Sequence, residues 1–196
     1  MDTPTVQIII GSTRPGRIGP SIASWIRDRA ITHGGFNVEL VDLAEVQLPM
    51  LDEPKHPRLG EYEHQHTKDW SATISRADAF IFVIPEYNYG FTAPVKNAID
   101  YLHREWRGKA AGFVSYGGVA AGTRAVQMLK PVLTTLKMVP ITEAVSIPFA
   151  HQLLDQDGVL QPNDTMEHAA TAMLDELATW TAALKPIREP ALTLTA

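Results

Sequence analysis

The loop after the first apolar stretch of the chain carries the side chains best suited to hold an anion. It spans Gly11 to Gly19 and provides two hydroxyls and two guanidinium groups, from Ser12, Thr13, Arg14 and Arg17. A helix is predicted to begin at about Pro20, and the free N–H groups and dipole at its start also favour negative charge. Because arginine stays charged and can form two parallel hydrogen bonds to a phosphate, the loop predicts a phosphate site. The alternative is an ordinary helix start with surface arginines.

A second polar loop, Pro85 to Gly90, follows the most apolar stretch of the chain, Ala79 to Ile84. Six consecutive apolar residues are typical of a strand buried on both faces of a parallel sheet. Pro85 has no backbone N–H to continue the ladder, so the chain should turn sharply at the carboxyl end of the strand, where open α/β sheets bind ligands. Such a loop could lie along one edge of a flat ring, with Tyr87 and Tyr89 adding aromatic surface. A strand-to-helix turn with two surface tyrosines is the alternative.

A third loop, Ser115 to Gly122, contains glycines that allow the backbone to approach a ligand closely. A Gly-Gly turn alone is weak support for a site. Three distinctive loops after the first, third and fourth strands are stronger support, because all three would meet at one edge of a suitably ordered sheet.

The elements that must position these loops alternate between strand and helix. We predict strands at 6–10, 36–41, 79–84, 110–115 and 139–147, and helices at 20–33, 61–75, 92–103, 120–137 and 164–184. Residues 43–60 form a long Pro-rich connection. This alternation predicts an α/β protein with a parallel sheet covered by helices on both faces.

Two families of doubly wound fold remain, and the first loop separates them. Gly11 to Gly16 reads GSTRPG, which lacks the second glycine of a Rossmann fingerprint, and no Gly-Lys-Ser/Thr of a Walker A loop follows. We therefore predict a flavodoxin-like three-layer sandwich with a five-stranded sheet of order 2-1-3-4-5. Residues 1–185 should form one domain, and residues 186–196 a loosely held C-terminal tail.

Composition excludes several classes of function. The net charge of -5 argues against a nucleic acid or an anionic membrane as partner, and the absence of cysteine excludes disulfides and thiolate chemistry. No signal peptide or membrane-length apolar run is visible, so a cytoplasmic protein is expected. No metal site is expected either: His64 and His66 lie two apart on a predicted helix and should point in different directions.

The chain resembles the NADPH-dependent FMN reductases of flavodoxin-like fold, which include quinone, azo-dye and chromate reductases. The resemblance lies in Gly11-Ser12-x-Arg14-x-Gly16, in Pro85-Glu86-Tyr87-Asn88 with the downstream Lys96-Asn97-Ala98-Ile99-Asp100, and in Ser115-x-Gly117-Gly118. It implies FMN as cofactor, NADPH or NADH as co-substrate, and a small-molecule electron acceptor. It also implies a phosphate site at Ser12, Arg14, Arg17, Ile18 and Gly19, and a ring site at Pro85, Glu86, Tyr87, Asn88, Ser115, Tyr116, Gly117 and Gly118.

The mechanism implied is hydride transfer from the nicotinamide to flavin N5 and then to a quinone, flavin or azo compound in a ping-pong cycle. No catalytic side chain is required, and the amides near Gly117 and Gly118 would stabilise the charge that develops on the ring. Several relatives have Ser and Asn where this chain has Arg17 and Gly19, so Arg17 could instead reach a nicotinamide cofactor's phosphate. Arg124 is another candidate for that phosphate, but an ordinary surface arginine is the preferred interpretation. The alternatives are a flavodoxin-like electron carrier and a non-enzymatic flavin-binding protein. Because the resemblance implies a dimer or tetramer, we expect a homodimer or homotetramer whose interface is formed by the helices at 92–103 and 120–137.

Overall fold

A parallel β-sheet forms the centre of the fold. The computed structural model describes residues 3–188. The strands are β1 Thr5–Ile10, β2 Asn37–Asp42, β3 Ala79–Pro85, β4 Ala110–Tyr116, β5 Val139–Pro140 and β6 Val145–Ile147. They are hydrogen-bonded in the order β2-β1-β3-β4-β5, with β6 also pairing with β4, and every pair is parallel. The predicted order 2-1-3-4-5 is confirmed.

Helices cover both faces of this sheet. They are α1 Gly19–His33, α2 Leu43–Val46, α3 Gln65–Ser75, α4 Ala93–Asp100, α5 Thr123–Thr135 and α6 Asp164–Arg188. Helices α1 and α6 pack on one face, and α3, α4 and α5 pack on the other, each face with its own apolar core. The three predicted layers are therefore present. Within residues 3–188, no helix has the combination of length and apolar character that crossing a bilayer requires.

The burial of the central strands explains why their sequences are almost entirely apolar. Every residue of β3 and of β4 is buried, because helices cover both faces of these strands. Strand β3 lies between β1 and β4. The loops that follow β1, β3 and β4 therefore emerge side by side at the carboxyl edge of the sheet.

The predicted fifth strand is divided into β5 and β6. Ala111 of β4 faces Pro140, whereas Val114 faces Val145, so the outer segment contains two more residues than the stretch of β4 it faces. The extra residues bulge outward, and the N–H groups of Thr142 (3.4 Å) and Glu143 (2.6 Å) donate to the Glu176 carboxylate on α6. A distant side chain thus replaces the ladder bonds of the missing strand segment.

Several helix boundaries also differ from prediction, among them the end of α4, which lies at Asp100 rather than His103. Helix α3 begins at Gln65 rather than Glu61, because His64 is extended and the Glu53 carboxylate accepts bonds from the N–H groups of Glu63 and His64. Helix α5 begins at Thr123, after a left-handed turn. Helix α6 continues past Leu184 to Arg188, whose guanidinium donates to the carbonyl of Gly108 at 3.4 Å. The rest of the predicted tail lies outside the described residues.

Candidate functional site

A cleft of about 310 Å³ opens at the carboxyl edge of the sheet, where the three predicted loops meet. Its volume is at the lower end of the roughly 300–1,000 Å³ typical of small-molecule sites. Ten of the thirteen predicted site residues line it: Ser12, Arg14, Arg17, Ile18, Pro85, Glu86, Tyr87, Tyr116, Gly117 and Gly118. Sequence reasoning therefore located most of the cleft wall.

The other three predicted residues do not line the cleft. Gly19 is buried at the start of α1, where an added Cβ would lie 2.9 Å from the Tyr116 hydroxyl, so a side chain there would require Tyr116 to shift. Asn88 is exposed at the tip of its loop with a φ of 50°. Ser115 is buried in β4 and donates to the carbonyl of Ala121 at 2.8 Å, which fixes the following loop.

Arg17 braces the first loop from within. Its guanidinium donates to both carboxylate oxygens of Asp42, at 2.5 and 2.6 Å, and to the carbonyl of Ser12 at 2.6 Å. The two side chains are only 18% and 12% exposed. The hydrogen bond and charge of Asp42 raise the pKa of Arg17 above its ordinary value. Two of the three contacts thus join Arg17 to the end of β2, so most of its donors are already engaged within the protein.

Arg14 is exposed and has no carboxylate partner within residues 3–188. The start of α1 beside it has Ile18 as N-cap, with no side-chain capping bond and no acidic residue in the first turn. The N–H groups and partial positive charge at this helix end are thus left without a side-chain cap. The geometry suits an anion bound between Arg14 and α1.

The Tyr116 hydroxyl adds a further donor at this end of the cleft. It is buried and makes no hydrogen bond of ordinary geometry among the described residues, although a buried polar group normally makes one. The nearby Ser12 hydroxyl is already bonded to Tyr87. Burial raises the pKa of Tyr116 above its ordinary value, so the hydroxyl keeps its proton near neutral pH. A ligand atom that accepts this proton would satisfy it.

The second loop is a tight hairpin turn. Tyr87 and Gly90 exchange two backbone hydrogen bonds of 2.9 Å, and both residues between them have positive φ, as a type I′ turn requires. The Tyr87 hydroxyl shares a 2.8 Å hydrogen bond with the Ser12 hydroxyl, which joins the first loop to the second. This hairpin presents a fixed edge to the cleft.

The third loop turns through Ala121 and Gly122, both with positive φ. A Cβ at Gly122 would lie 2.7 Å from the backbone nitrogen of Tyr116, so glycine is required. The Gly117 N–H donates to the carbonyl of Ile147 at 3.2 Å. Of the two amides predicted to stabilise charge, only that of Gly118 is left without an acceptor within residues 3–188.

A fourth segment of the wall was missed by the sequence analysis. Phe149, Ala150, His151 and Gln152 line the cleft from a short 3₁₀ helix, Ala150–Leu153, that follows β6. Backbone bonds of 3.2 Å from Phe149 to Gly118 and from Ala150 to Gly117 hold this segment against the third loop. The sequence showed only a loop from Pro148 to Asn163, and the single available signal was its position after the fifth strand.

The histidine pair lies outside the cleft. His64 caps α3 rather than lying within it, and its ring stacks on His66 with 5.2 Å between the ring centres, so the expectation that they diverge is wrong. Asp52 binds His66 Nε2 at 2.9 Å and accepts from the Tyr101 hydroxyl at 2.9 Å. Within the described residues, no group of three or more His, Asp and Glu side chains is arranged to hold a metal ion.

Comparison with known proteins agrees with this geometry. Residues 4–152 match the family profile of the NADPH-dependent FMN reductases. The chain belongs to this family. An NAD(P)H-dependent FMN reductase of Schizosaccharomyces pombe is 43% identical over 150 residues, which are 74% of each protein. One from Saccharomyces cerevisiae is 36% identical over 80% of this chain and 87% of its own length.

Other relatives of this FMN reductase family member are named for electron acceptors other than FMN. An NAD(P)H:quinone oxidoreductase of Solanum tuberosum is 34% identical over 71% of this chain and 73% of its own length. The flavoenzyme FerB of Paracoccus denitrificans superimposes with a TM-score of 0.74 at 21% identity, covering 92% of this chain and 98% of FerB. At that identity FerB supports the flavodoxin-like fold alone. The resemblance read from the sequence, with FMN as cofactor and NAD(P)H as co-substrate, is confirmed.

Proposed function

We propose that the cleft at the carboxyl edge of the sheet holds FMN and serves NAD(P)H-dependent reduction of a small-molecule acceptor. The buried Tyr116 hydroxyl, which has no partner among the described residues and lies beside Gly19, carries this proposal. Gly19 is the first residue of the uncapped helix α1, and both Tyr116 and Arg14 line the cleft. Two hydrogen-bond donors, one of them charged, and a helix N-terminus fit a phosphate monoester.

The protein's own groups have distinct tasks in this proposal. Arg14, Tyr116 and the first N–H groups of α1 hold the phosphate. The 85–90 hairpin, fixed by the bond between Tyr87 and Ser12, presents its edge to the isoalloxazine ring. The Gly118 N–H donates where negative charge develops on the ring. Bound FMN supplies the hydride transfer itself.

The acceptor is proposed from the relatives and from the shape of the cleft. Relatives are named for quinone and azo reduction as well as for FMN reduction. Phe149 is 48% exposed at the cleft, so its ring provides an accessible aromatic wall for a flat molecule. We propose a quinone or azo compound that binds in turn with the nicotinamide, in a ping-pong cycle in the cytoplasm.

We also propose that the chain forms a homodimer or homotetramer through α4 and α5. Val119, which precedes α5, and Met128 within it are exposed apolar side chains, as a contact surface would require. Light scattering after size-exclusion chromatography should give two or four times the 21.6 kDa of one chain. A single species of 21.6 kDa would refute this part of the proposal.

The phosphate site is tested by comparing FMN with riboflavin on FMN-free protein. Charge-assisted hydrogen bonds contribute about 1.5–3 kcal/mol each, so loss of the phosphate and its two side-chain donors should weaken binding at least about a hundredfold. Arg14→Ala should weaken FMN binding about tenfold and leave riboflavin binding unchanged. Arg27→Ala is the matched control, because Arg27 pairs with its neighbour Asp28 on the surface of α1. Equal affinities for FMN and riboflavin would refute the assignment.

A further inference from the structure

Glu86 is the only carboxylate among the described residues that line the cleft. It directly follows Pro85, and its N–H donates to the Tyr116 carbonyl at 3.3 Å, which fixes its position beside β4. Its side chain is only 9% exposed. Such a charge at the edge of a ring site affects any ligand whose own charge changes there.

Arg124, in the first turn of α5, neutralises this carboxylate. Its Nε donates to Glu86 Oε1 at 2.6 Å, its Nη2 also contacts Oε1, and its backbone N–H donates to Oε2 at 3.3 Å. The guanidinium also lies 3.8 Å from the centre of the Tyr89 ring, at the tip of the hairpin. The Arg124 side chain therefore contacts the 85–90 hairpin both at its base, through Glu86, and at its tip, through Tyr89.

Neutralisation matters because reduction changes the charge of the flavin. Hydride transfer oxidises the nicotinamide and adds two electrons and one proton to FMN, so the ring gains one negative charge unless a second proton follows. An uncompensated carboxylate nearby would disfavour the reduced ring more than the oxidised ring. With Arg124 in place, the pair presents little net charge to the cleft.

We propose that Arg124 is a positioning residue that fixes the 85–90 hairpin and cancels the charge of Glu86, so that bound FMN is readily reduced by NAD(P)H. The inference rests on the FMN site proposed above. It also argues against Arg124 as a ligand of a nicotinamide phosphate, because its guanidinium is engaged by Glu86 and Tyr89.

Four variants separate the positioning of the 85–90 hairpin from the cancellation of the Glu86 charge. They are Arg124→Ala, Arg124→Lys, Glu86→Gln and the double variant Arg124→Ala/Glu86→Gln. For each, the dissociation constant of oxidised FMN comes from titration of FMN-free protein, and the reduction potential comes from anaerobic equilibration with a reference dye. The two together give the affinity for reduced FMN relative to oxidised FMN. Arg27→Ala is again the control and should match the wild type in both measurements.

Arg124→Ala should lower the potential, with reduced FMN losing about tenfold in affinity relative to oxidised FMN, in the usual range for coupling between two sites. The double variant should recover most of this loss, because the unpaired carboxylate is gone. Arg124→Lys keeps the charge and should keep the potential, while oxidised FMN binds a few-fold more weakly. Glu86→Gln should raise the potential, because it removes the negative charge and leaves that of Arg124. This variant tests the proposal even if Arg124→Ala does not fold.

The outcomes distinguish this inference from the proposed function. If wild-type protein binds no FMN, the proposed site is wrong. Suppose that wild-type protein binds FMN, but that Glu86→Gln and Arg124→Ala each change the affinity for reduced FMN relative to oxidised FMN by less than twofold. The role of Arg124 is then refuted. A double variant with a potential as low as that of Arg124→Ala would refute charge cancellation, because a loss of hairpin structure is not recovered by removing the carboxylate.

Discussion

Tyr116→Phe removes one oxygen atom from the cleft and should separate stability from cofactor binding. The hydroxyl is buried with no partner among residues 3–188, so the folded protein without FMN gains no hydrogen bond from it. A buried polar group left unpaired costs about 1–3 kcal/mol. The free energy of unfolding of the FMN-free variant should therefore stay the same or rise by about 1 kcal/mol, which corresponds to about 2–4 °C in melting temperature for a chain of this size.

FMN binding should respond in the opposite direction. If the phosphate accepts the Tyr116 proton, the variant loses a hydrogen bond to a charged group, about 1.5–3 kcal/mol, and the dissociation constant should rise about tenfold or more. Thermal melting of FMN-free protein gives the first quantity, and quenching of flavin fluorescence during titration gives the second. Tyr62→Phe is the matched control: its hydroxyl donates to Glu105 at 2.9 Å, so this variant should lose stability and keep its FMN affinity. A Tyr116→Phe protein that is less stable without FMN, or that binds FMN as tightly as the wild type, would refute the reasoning.

Three further substitutions test other parts of the structure. Arg17→Ala should lower the free energy of unfolding in urea by about 2 kcal/mol, because it leaves the largely buried Asp42 without its partner, and an unchanged value would contradict the bracing role. Phe149→Ala should alter stability by no more than about 0.5 kcal/mol and raise KM for a quinone several-fold in steady-state assays, whereas an unchanged KM would exclude contact with the acceptor. Burial lowers the pKa of Lys109 from 10.5 to about 8. Between pH 8 and pH 10.5 the unfolded chain therefore holds a proton on Lys109 that the folded chain lacks, so the free energy of unfolding should rise with pH. Unfolding of the wild type and Lys109→Met at several pH values should therefore diverge by up to about 1.4 kcal/mol per pH unit in that range, and parallel curves would contradict the lowered pKa.

The sheet and its order were predictable because local pattern and chain connectivity both point to them. The apolar stretch at 79–84 is buried throughout and forms a central strand as its composition indicates. The division of the fifth strand was not predictable, because it depends on the Glu176 carboxylate, more than thirty residues away along the chain. The start of α3 depends in the same way on Glu53, which lies in a loop of no recognisable pattern.

The candidate site shows the same division between local and distant information. The first, second and third loops were predictable because Gly, Pro, Tyr and Arg residues follow the ends of predicted strands. The partners of the charged side chains were not predictable: Arg17 is bound by Asp42 at the end of β2, and Arg124 by Glu86. A basic residue in a loop indicates an anion site only when the folded chain leaves it without a carboxylate, as at Arg14.

Anaerobic addition of NADPH or NADH to the FMN-loaded protein tests whether the cleft performs flavin chemistry. The visible absorbance of the bound flavin should fall as one equivalent of reduced nicotinamide is consumed, and should return when a quinone is added in the absence of oxygen. A bound flavin that keeps its oxidised spectrum in excess NADPH and excess NADH would contradict the account and leave a flavin-binding protein without turnover.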